Sequence, residues 1–334
     1  MLLELRSEAD AMLPWLNAPW RELQRRRANA TLPHALLLGG PRGLGKARFA
    51  EAWARSLLCG HPDSEGNACG VCAACRQAAA GTHPDLRQLA PEGGKSIAVD
   101  AVRGLAEFLS LMSQYGGAKV ALIAPADRMT MGAANALLKT LEEPPAGSLL
   151  LLSSDRAGLL PATVRSRCQR ITFTVPPRDQ ALAWLAPQVP AGDAELLLAL
   201  AAGAPLTALE LAAPGVSESR ADLWAEFEAV AAGRMDPVLA AERCKERGGN
   251  GCLQWMSTWV MDMIRLQWGV QARNTDLRGG LERLARACGR RRLFGYLDRL
   301  TGGLRNLEGS ANPQLVLEDL LIGWAELTAT RRGS

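Results

Sequence analysis

Residues 34–53 read HALLLGGPRGLGKARFAEAW, and no other stretch restricts the fold as strongly. A short apolar run closed by glycines is the composition of a strand buried on both faces. Behind it, Phe49, Trp53 and Leu57 recur at helical spacing. The turn between strand and helix follows the phosphate-loop pattern: Gly40, four residues, Gly45 and then Lys46. Gly43 lies inside the same turn. Backbone N–H groups of such a turn cradle phosphates, and the lysine reaches the terminal ones. The last place of the pattern asks for Ser or Thr to bind magnesium, and here it is Ala47. The chain either hydrolyses nucleotide without that hydroxyl or keeps only the shape of a protein that does.

A strand–turn–helix unit needs neighbours, and the chain supplies them. AKVALIAPADRM (118–129), GSLLLLSS (147–154) and CQRITFTVP (168–176) read as three further strands, and GAANALLKTLEEPP (132–145) reads as a helix stopped by two prolines. Strands alternating with helices at this spacing predict an α/β fold, a parallel sheet with helices on both faces. Beyond about Pro176 the strand pattern stops and helical patterns take over, first a small unit and then a longer stretch. There Trp255, Trp259 and Leu266 make an amphipathic stripe, read as core, with a helical partner surface as the alternative. A length of 334 residues suits two or three domains, and 48% hydrophobic with 22% charged residues is a globular balance. Acidic residues among the first ten, with no basic start before a long apolar run, argue against a signal peptide or membrane span and for the cytoplasm. A net charge of +4 neither demands nor excludes a nucleic-acid partner, so any such contact must come from local patches.

Cys59, Cys69, Cys72 and Cys75 fall within 17 residues, while the other four of the eight cysteines are scattered. Two Cys-x-x-Cys steps share Cys72, which lets consecutive thiolates face one tetrahedral ion. Zinc is expected. The alternatives are a disulfide pair, which a reducing compartment disfavours, and unligated thiols, which seldom cluster so tightly. Four cysteines close the coordination shell, so the role predicted is structural and His61 is read as a loop residue.

Five motifs in this order, GGPRGLGKAR, the four cysteines, GTHPDLRQLAPEGG, AANALLKTLEEPP and VRSRCQRITF, resemble the delta-prime subunits of bacterial DNA polymerase III clamp loaders. The resemblance covers about residues 30 to 212. It implies an AAA+ α/β domain over residues 1–172 with a zinc module at 59–75, a helical lid domain over 173–212, and a helical collar over 213–334. It further implies a place in a five-subunit ring with ATPase subunits (tau or gamma) and a delta subunit, as part of a DNA-directed DNA polymerase holoenzyme. That ring opens a sliding clamp and places it on primed DNA.

The question of hydrolysis then becomes one of chemistry. Transfer of the γ-phosphate needs a loop oxygen on magnesium and acids after the next strand to hold the metal shell and orient water. AAA+ ATPases carry Asp-Glu there, whereas this chain has Ala124 and Pro125 at the matching places. Asp127 stands two residues on and is read as the cap of the following helix. Active relatives also present a lid arginine, where this chain has Leu206. Each such group is worth about 10² to 10³ in rate, so the chain is predicted not to hydrolyse ATP. Gly40, Gly43, Gly45 and Lys46 retain the means to hold a phosphate, Arg42 offers to fill the site from within, and the expectation is an empty loop. The resemblance makes Arg167 of Ser-Arg-Cys an arginine finger, acting in trans on the neighbouring subunit's ATP; a solvated basic face of Arg165, Arg167 and Arg170 is the alternative. A working ATPase with an unusual metal shell and a zinc-bearing nucleic-acid binder are the competing functions, although residues 59–75 hold no aromatic side chain.

Leu137, Leu138 and Leu141 should face the core, Lys139 and Glu143 stand four apart as a candidate ion pair, and His83 is read as a hydrogen-bonded turn residue without chemistry.

Overall fold

A computed structural model describes residues 12–91, 96–309 and 311–329. The reading of the extreme N-terminus, and residues 92–94 of the GTHPDLRQLAPEGG motif, lie outside the described residues. The chain forms two compact units that divide between Trp184 and Leu185.

The first unit is built on five parallel strands, β1 (Ala35–Gly39), β2 (Leu86–Leu89), β3 (Lys119–Ile123), β4 (Ser148–Ser154) and β5 (Gln169–Thr172), in the order β2-β3-β4-β1-β5. Every residue of β1 and β3 is buried, which their apolar runs foretold for all but Lys119, the charged first residue of β3. Side chains alternate between faces. Ala35, Leu37, Ala121, Ile123, Leu150 and Leu152 share one core with Leu105 and Leu109 of helix Val99–Ser110 and with Leu137 and Leu141 of helix Met131–Glu142. Leu138 is partly buried against that core, so the predicted apolar side of this helix is the one observed. Helix Lys46–Leu58 contacts β1, β3 and β4, burying Phe49 and Trp53. The helix Asn17–Ala28 adds Trp20, edge-on to Phe49 at 5.8 Å and to Trp53 at 5.3 Å.

β2 is a fifth strand that the sequence pattern had not suggested. It is four residues long at the sheet edge, and Arg87 and Gln88 are exposed, so no apolar run marks it.

The second unit is helical. Among its described helices, Val216–Ala231, Gly249–Leu266, Arg290–Glu308 and Pro313–Ala329 enclose a core in which Phe227 stacks on Trp324 at 4.1 Å and Trp259 is fully buried. Trp255 and Leu266 pack on the same core, so the stripe is core and not an outward face. Among the described residues, no single helix is long and apolar enough to cross a membrane.

One acid in this unit makes its stability pH-dependent. Glu226 accepts from Arg247 Nη1 and Nη2, both at 2.6 Å, and from Arg243 at 3.1 Å. Burial alone would raise its carboxyl, but these guanidinium hydrogen bonds outweigh it and hold the group below its ordinary value of 4.5. A lowered carboxyl contributes stability that is present above the unfolded value and lost as pH falls through the folded one. Thermal unfolding should therefore show a loss setting in below 4.5, and Glu226→Gln should flatten it while removing about 1–3 kcal/mol at neutral pH.

Candidate functional site

β1 ends at Gly39, and Gly40 begins the turn with its amide donating to the Ser154 carbonyl at 3.3 Å. Gly43 and Gly45 take φ of +78° and +85°, values that side chains beyond Cα oppose, and Gly45 opens the helix Lys46–Leu58. The loop therefore has the shape the motif promised. Its lysine is committed elsewhere. Lys46 is only 3% exposed, and Nζ lies 2.6 Å from the Pro41 carbonyl and 2.6 Å from Asp155 Oδ1. Asp155 follows the last residue of β4, so an acid from a neighbouring strand already neutralises the ammonium that would meet a phosphate. Trp15 braces the loop from outside, its indole N–H donating to the Leu44 carbonyl at 2.9 Å and its ring set edge-on to Trp184 at 5.3 Å.

β3 runs out into Ala124 and Pro125, so no carboxylate leaves its end. Asp127 is not the cap of the next helix. Thr130, directly before that helix, accepts from the Ala133 N–H at 3.1 Å and caps it. Asp127 sits in a separate turn, Ala126–Arg128, and accepts from the Ser154 hydroxyl at 2.7 Å and the Asp155 N–H at 3.0 Å. Position decides between the two: a cap must stand next to the first helical residue, and Asp127 is too early in the chain. Its effect is to fix the backbone of the residue that holds Lys46.

Arg167 follows the short helix Ala162–Arg165. Val164 and Cys168 on either side are buried, which anchors the segment, and burial pushes the Cys168 thiol up to about 11. The guanidinium points away from that core: Nη1 donates to the Thr163 carbonyl at 2.9 Å and Nη2 lies 2.6 Å from Glu142 Oε1, with the two side chains 36% and 50% exposed. The predicted Lys139–Glu143 pair is absent among the described residues, because the helix ends at Glu142 and it is that acid which pairs, with Arg167.

The four cysteines do converge. Cys59, Cys69, Cys72 and Cys75 place their Sγ atoms within 4.8 Å of one another, with Cys59–Cys72 at 4.0 Å and Cys69–Cys75 at 3.9 Å. A disulfide needs about 2.05 Å between sulfurs, while a tetrahedron with metal–sulfur bonds of about 2.3 Å has edges of about 3.8 Å. The donor set fits a closed tetrahedral ion and no disulfide. Backbone amides converge on the sulfurs as well: Cys69 N–H donates to Cys59 Sγ at 3.3 Å, and Cys75 N–H donates to Cys72 Sγ at 3.4 Å. Such donors pull the Cys72 thiol down to about 6, while burial pushes Cys75 up to about 12. His61 stands aside as a loop residue, its backbone N–H reaching Cys59 Sγ at 3.4 Å. The insert docks on helix Asn17–Ala28, where the Trp20 indole N–H donates to the Glu65 carbonyl at 3.1 Å and the Gln24 amide to the Gly66 carbonyl at 2.9 Å.

His83 is the turn residue expected, with Nδ1 accepting from the Asp85 N–H at 3.0 Å. Next to it lies a buried pair that the sequence reading passed over, Asp85 and Lys119 at 3.2 Å. Burial would raise Asp85, but the Gln114 N–H, the Ser113 hydroxyl, the Tyr115 N–H and Lys119 hold its carboxyl below the usual range.

The family described as "DNA polymerase III, delta subunit" matches residues 15–177, and "DNA polymerase III, delta subunit, C terminal" matches residues 215–326. DNA polymerase III subunit delta' of Pseudomonas aeruginosa is 38% identical over 94% of this chain and 97% of its own length. Its counterpart from Escherichia coli is 36% identical over 92% of this chain and 94% of its own. The chain belongs to the DNA polymerase III delta-prime family. Among solved structures, a gamma subunit-related protein of Thermotoga maritima covers 91% of this chain and 98% of its own at 19% identity and a TM-score of 0.46, too distant to bear on the site. In this delta-prime clamp-loader subunit the glycine turn after β1 lacks the loop hydroxyl, and Ala124 and Pro125 stand where β3 ends. Asp155 and Glu142, the partners of Lys46 and Arg167, are the residues sequence reasoning missed. An acid directly behind a buried strand, and the first acid of LEEPP, were the signals open to it.

Proposed function

We propose that this delta-prime subunit hydrolyses no ATP itself and instead donates Arg167 to the ATP site of the next subunit. The observation that carries the reading is the contrast between Lys46 and Arg167. The lysine is buried against Asp155 and Pro41, whereas the arginine stands on an anchored segment with its guanidinium turned outward. A planar, permanently charged fork can hold two phosphate oxygens and offset the charge that grows on the γ-phosphate. One prong of that fork, Nη2, lies 2.6 Å from the Glu142 carboxylate, and the other, Nη1, donates to the Thr163 carbonyl. We take the partners to be ATPase subunits (tau or gamma) and a delta subunit, with the sliding clamp and primed DNA engaged through the assembled ring in the cytoplasm. The division into an AAA+ domain over 1–172, a lid over 173–212 and a collar over 213–334 belongs to the same proposal, and the phosphate loop is read as holding no nucleotide. Cys59, Cys69, Cys72 and Cys75 would hold a structural Zn²⁺, which supplies a cross-link and no open coordination position.

Two measurements separate this from the reading as an active ATPase. The purified chain should show no ATP turnover above a mock preparation. Lys46→Ala should leave clamp loading by the reconstituted complex nearly unchanged, since the ammonium serves the chain's own Asp155. A large loss of loading in a folded variant would mean that the loop works on nucleotide.

A further inference from the structure

Charge is unevenly spread along this chain. From Arg265 to Phe294 stand eight arginines against Asp276 and Glu282, a net of +6, whereas the whole chain carries +4 and the remainder is therefore net negative. Seven of the eight are exposed. Among them lies Trp268, 63% exposed and the one exposed tryptophan of the nine. The Arg290 guanidinium sits 4.2 Å from its ring centroid and donates to the Gln267 carbonyl at 3.1 Å.

This corner is held in place. Buried Asp262 accepts from the backbone N–H groups of Arg273 and Asn274, both at 2.8 Å, and fixes the far end of the loop that carries Trp268. Gln267 ties its near end to helix Arg278–Ala287 by donating to the Ala285 and Cys288 carbonyls at 2.6 and 2.8 Å. Between them opens a cleft of about 310 Å³, with Val270, Gln271, Arg278 and Arg286 in its walls. Glu282 also lines it and pairs with Arg278 at 2.8 Å, which offsets part of the charge and leaves the excess positive.

We propose that this corner of the C-terminal unit binds single-stranded DNA, a base stacking on Trp268 while phosphates lie along Arg278, Arg286 and Arg290. Positive charge alone would equally suit an acidic protein segment. A fixed, exposed indole backed by a guanidinium favours a planar ring, and only a single strand offers its base faces. The zinc module, with no aromatic residue, lacks this combination. The inference rests on neither the finger nor the zinc, and its test uses the isolated full chain, so each can fail alone.

The test is fluorescence anisotropy of labelled oligothymidylate titrated with the full-length protein at low salt. Binding should quench tryptophan emission. Trp268→Ala should weaken it about five- to hundredfold, and Trp268→Phe, which keeps a stacking face, should retain most of it. Arg278→Gln and Arg286→Gln should each lower the slope of log affinity against log salt by about 0.7. Arg25→Gln, an exposed arginine of the first unit, should change little. Should Trp268→Ala fail to fold, the two salt slopes carry the decision. Absence of binding by the unmodified chain, or unchanged affinity in folded Trp268→Ala, overturns the proposal. So does tighter binding of an oligoglutamate of equal charge, which would assign the corner to an acidic protein partner.

Discussion

Arg167→Ala is expected to slow ATP hydrolysis at the neighbouring subunit's site by about 10³- to 10⁵-fold, the range found when a trans arginine is lost from other nucleotide hydrolases. Folding and assembly should stay intact. The side chain is outside the core, and its replacement gives up one exposed pair with Glu142, one bond to the Thr163 carbonyl and a longer one to the Ser166 hydroxyl. Such exposed pairs are worth at most about 1 kcal/mol. A complex with several active sites will hide much of the loss, so the informative assay is single-turnover hydrolysis with the other sites disabled by mutation. Arg167→Lys should also be poor, because an ammonium keeps the charge and loses the fork. If both variants react at the unmutated rate in a fully assembled complex, Arg167 is a surface residue and the solvated-face reading stands.

The second large effect concerns the metal. Protein purified without chelator should carry close to one Zn²⁺ per chain, and Cys72→Ser should release it. That sulfur belongs to both Cys-x-x-Cys steps, stands 4.0 Å from Cys59, and caps helix Ala73–Ala79. Apparent binding energies of structural zinc sites run to about 10–16 kcal/mol at neutral pH, so the insert should lose its order when the ion leaves. The damage should stay local because the sheet core draws on none of the four thiols. Trp20 reports it: its bond to Glu65 is a contact between insert and core, so its emission should change while the main unfolding transition survives. Metal analysis showing no zinc would remove this part of the account.

How much could be read from the sequence follows from where each feature's information lies. β1, β3 and β4 each hold a run of four apolar residues, so burial on both faces is written in their composition, while the burial of Lys119, Ser153 and Ser154 at the strand ends is not. β2 is not, because an edge strand has one unpaired side and Arg87 and Gln88 are compatible with a loop. The cysteine site was legible because metal spacing is local in sequence, and the loop because its glycines are. The partners of Lys46 and Arg167 were not. Lys46 meets Asp155 and Arg167 meets Glu142 across separate elements, and only the sheet order and the turn after β4 bring them together. Asp127 was misread for the same reason: its bonds run across the sheet to Ser154 and Asp155, and nothing adjacent in sequence announces them. Trp268 escaped notice because an exposed tryptophan and a buried one look alike until the helices around it are assembled.

The central claim is that this chain works through its neighbours and not by its own chemistry. The most direct measurement mixes the purified chain with ATPase and delta subunits, follows assembly by mass, and records ATP turnover by the chain alone and by the complex. The account predicts a defined complex containing this subunit and turnover only after assembly. Failure to form a complex, or magnesium-dependent turnover by the isolated chain that Lys46→Ala abolishes, would contradict it.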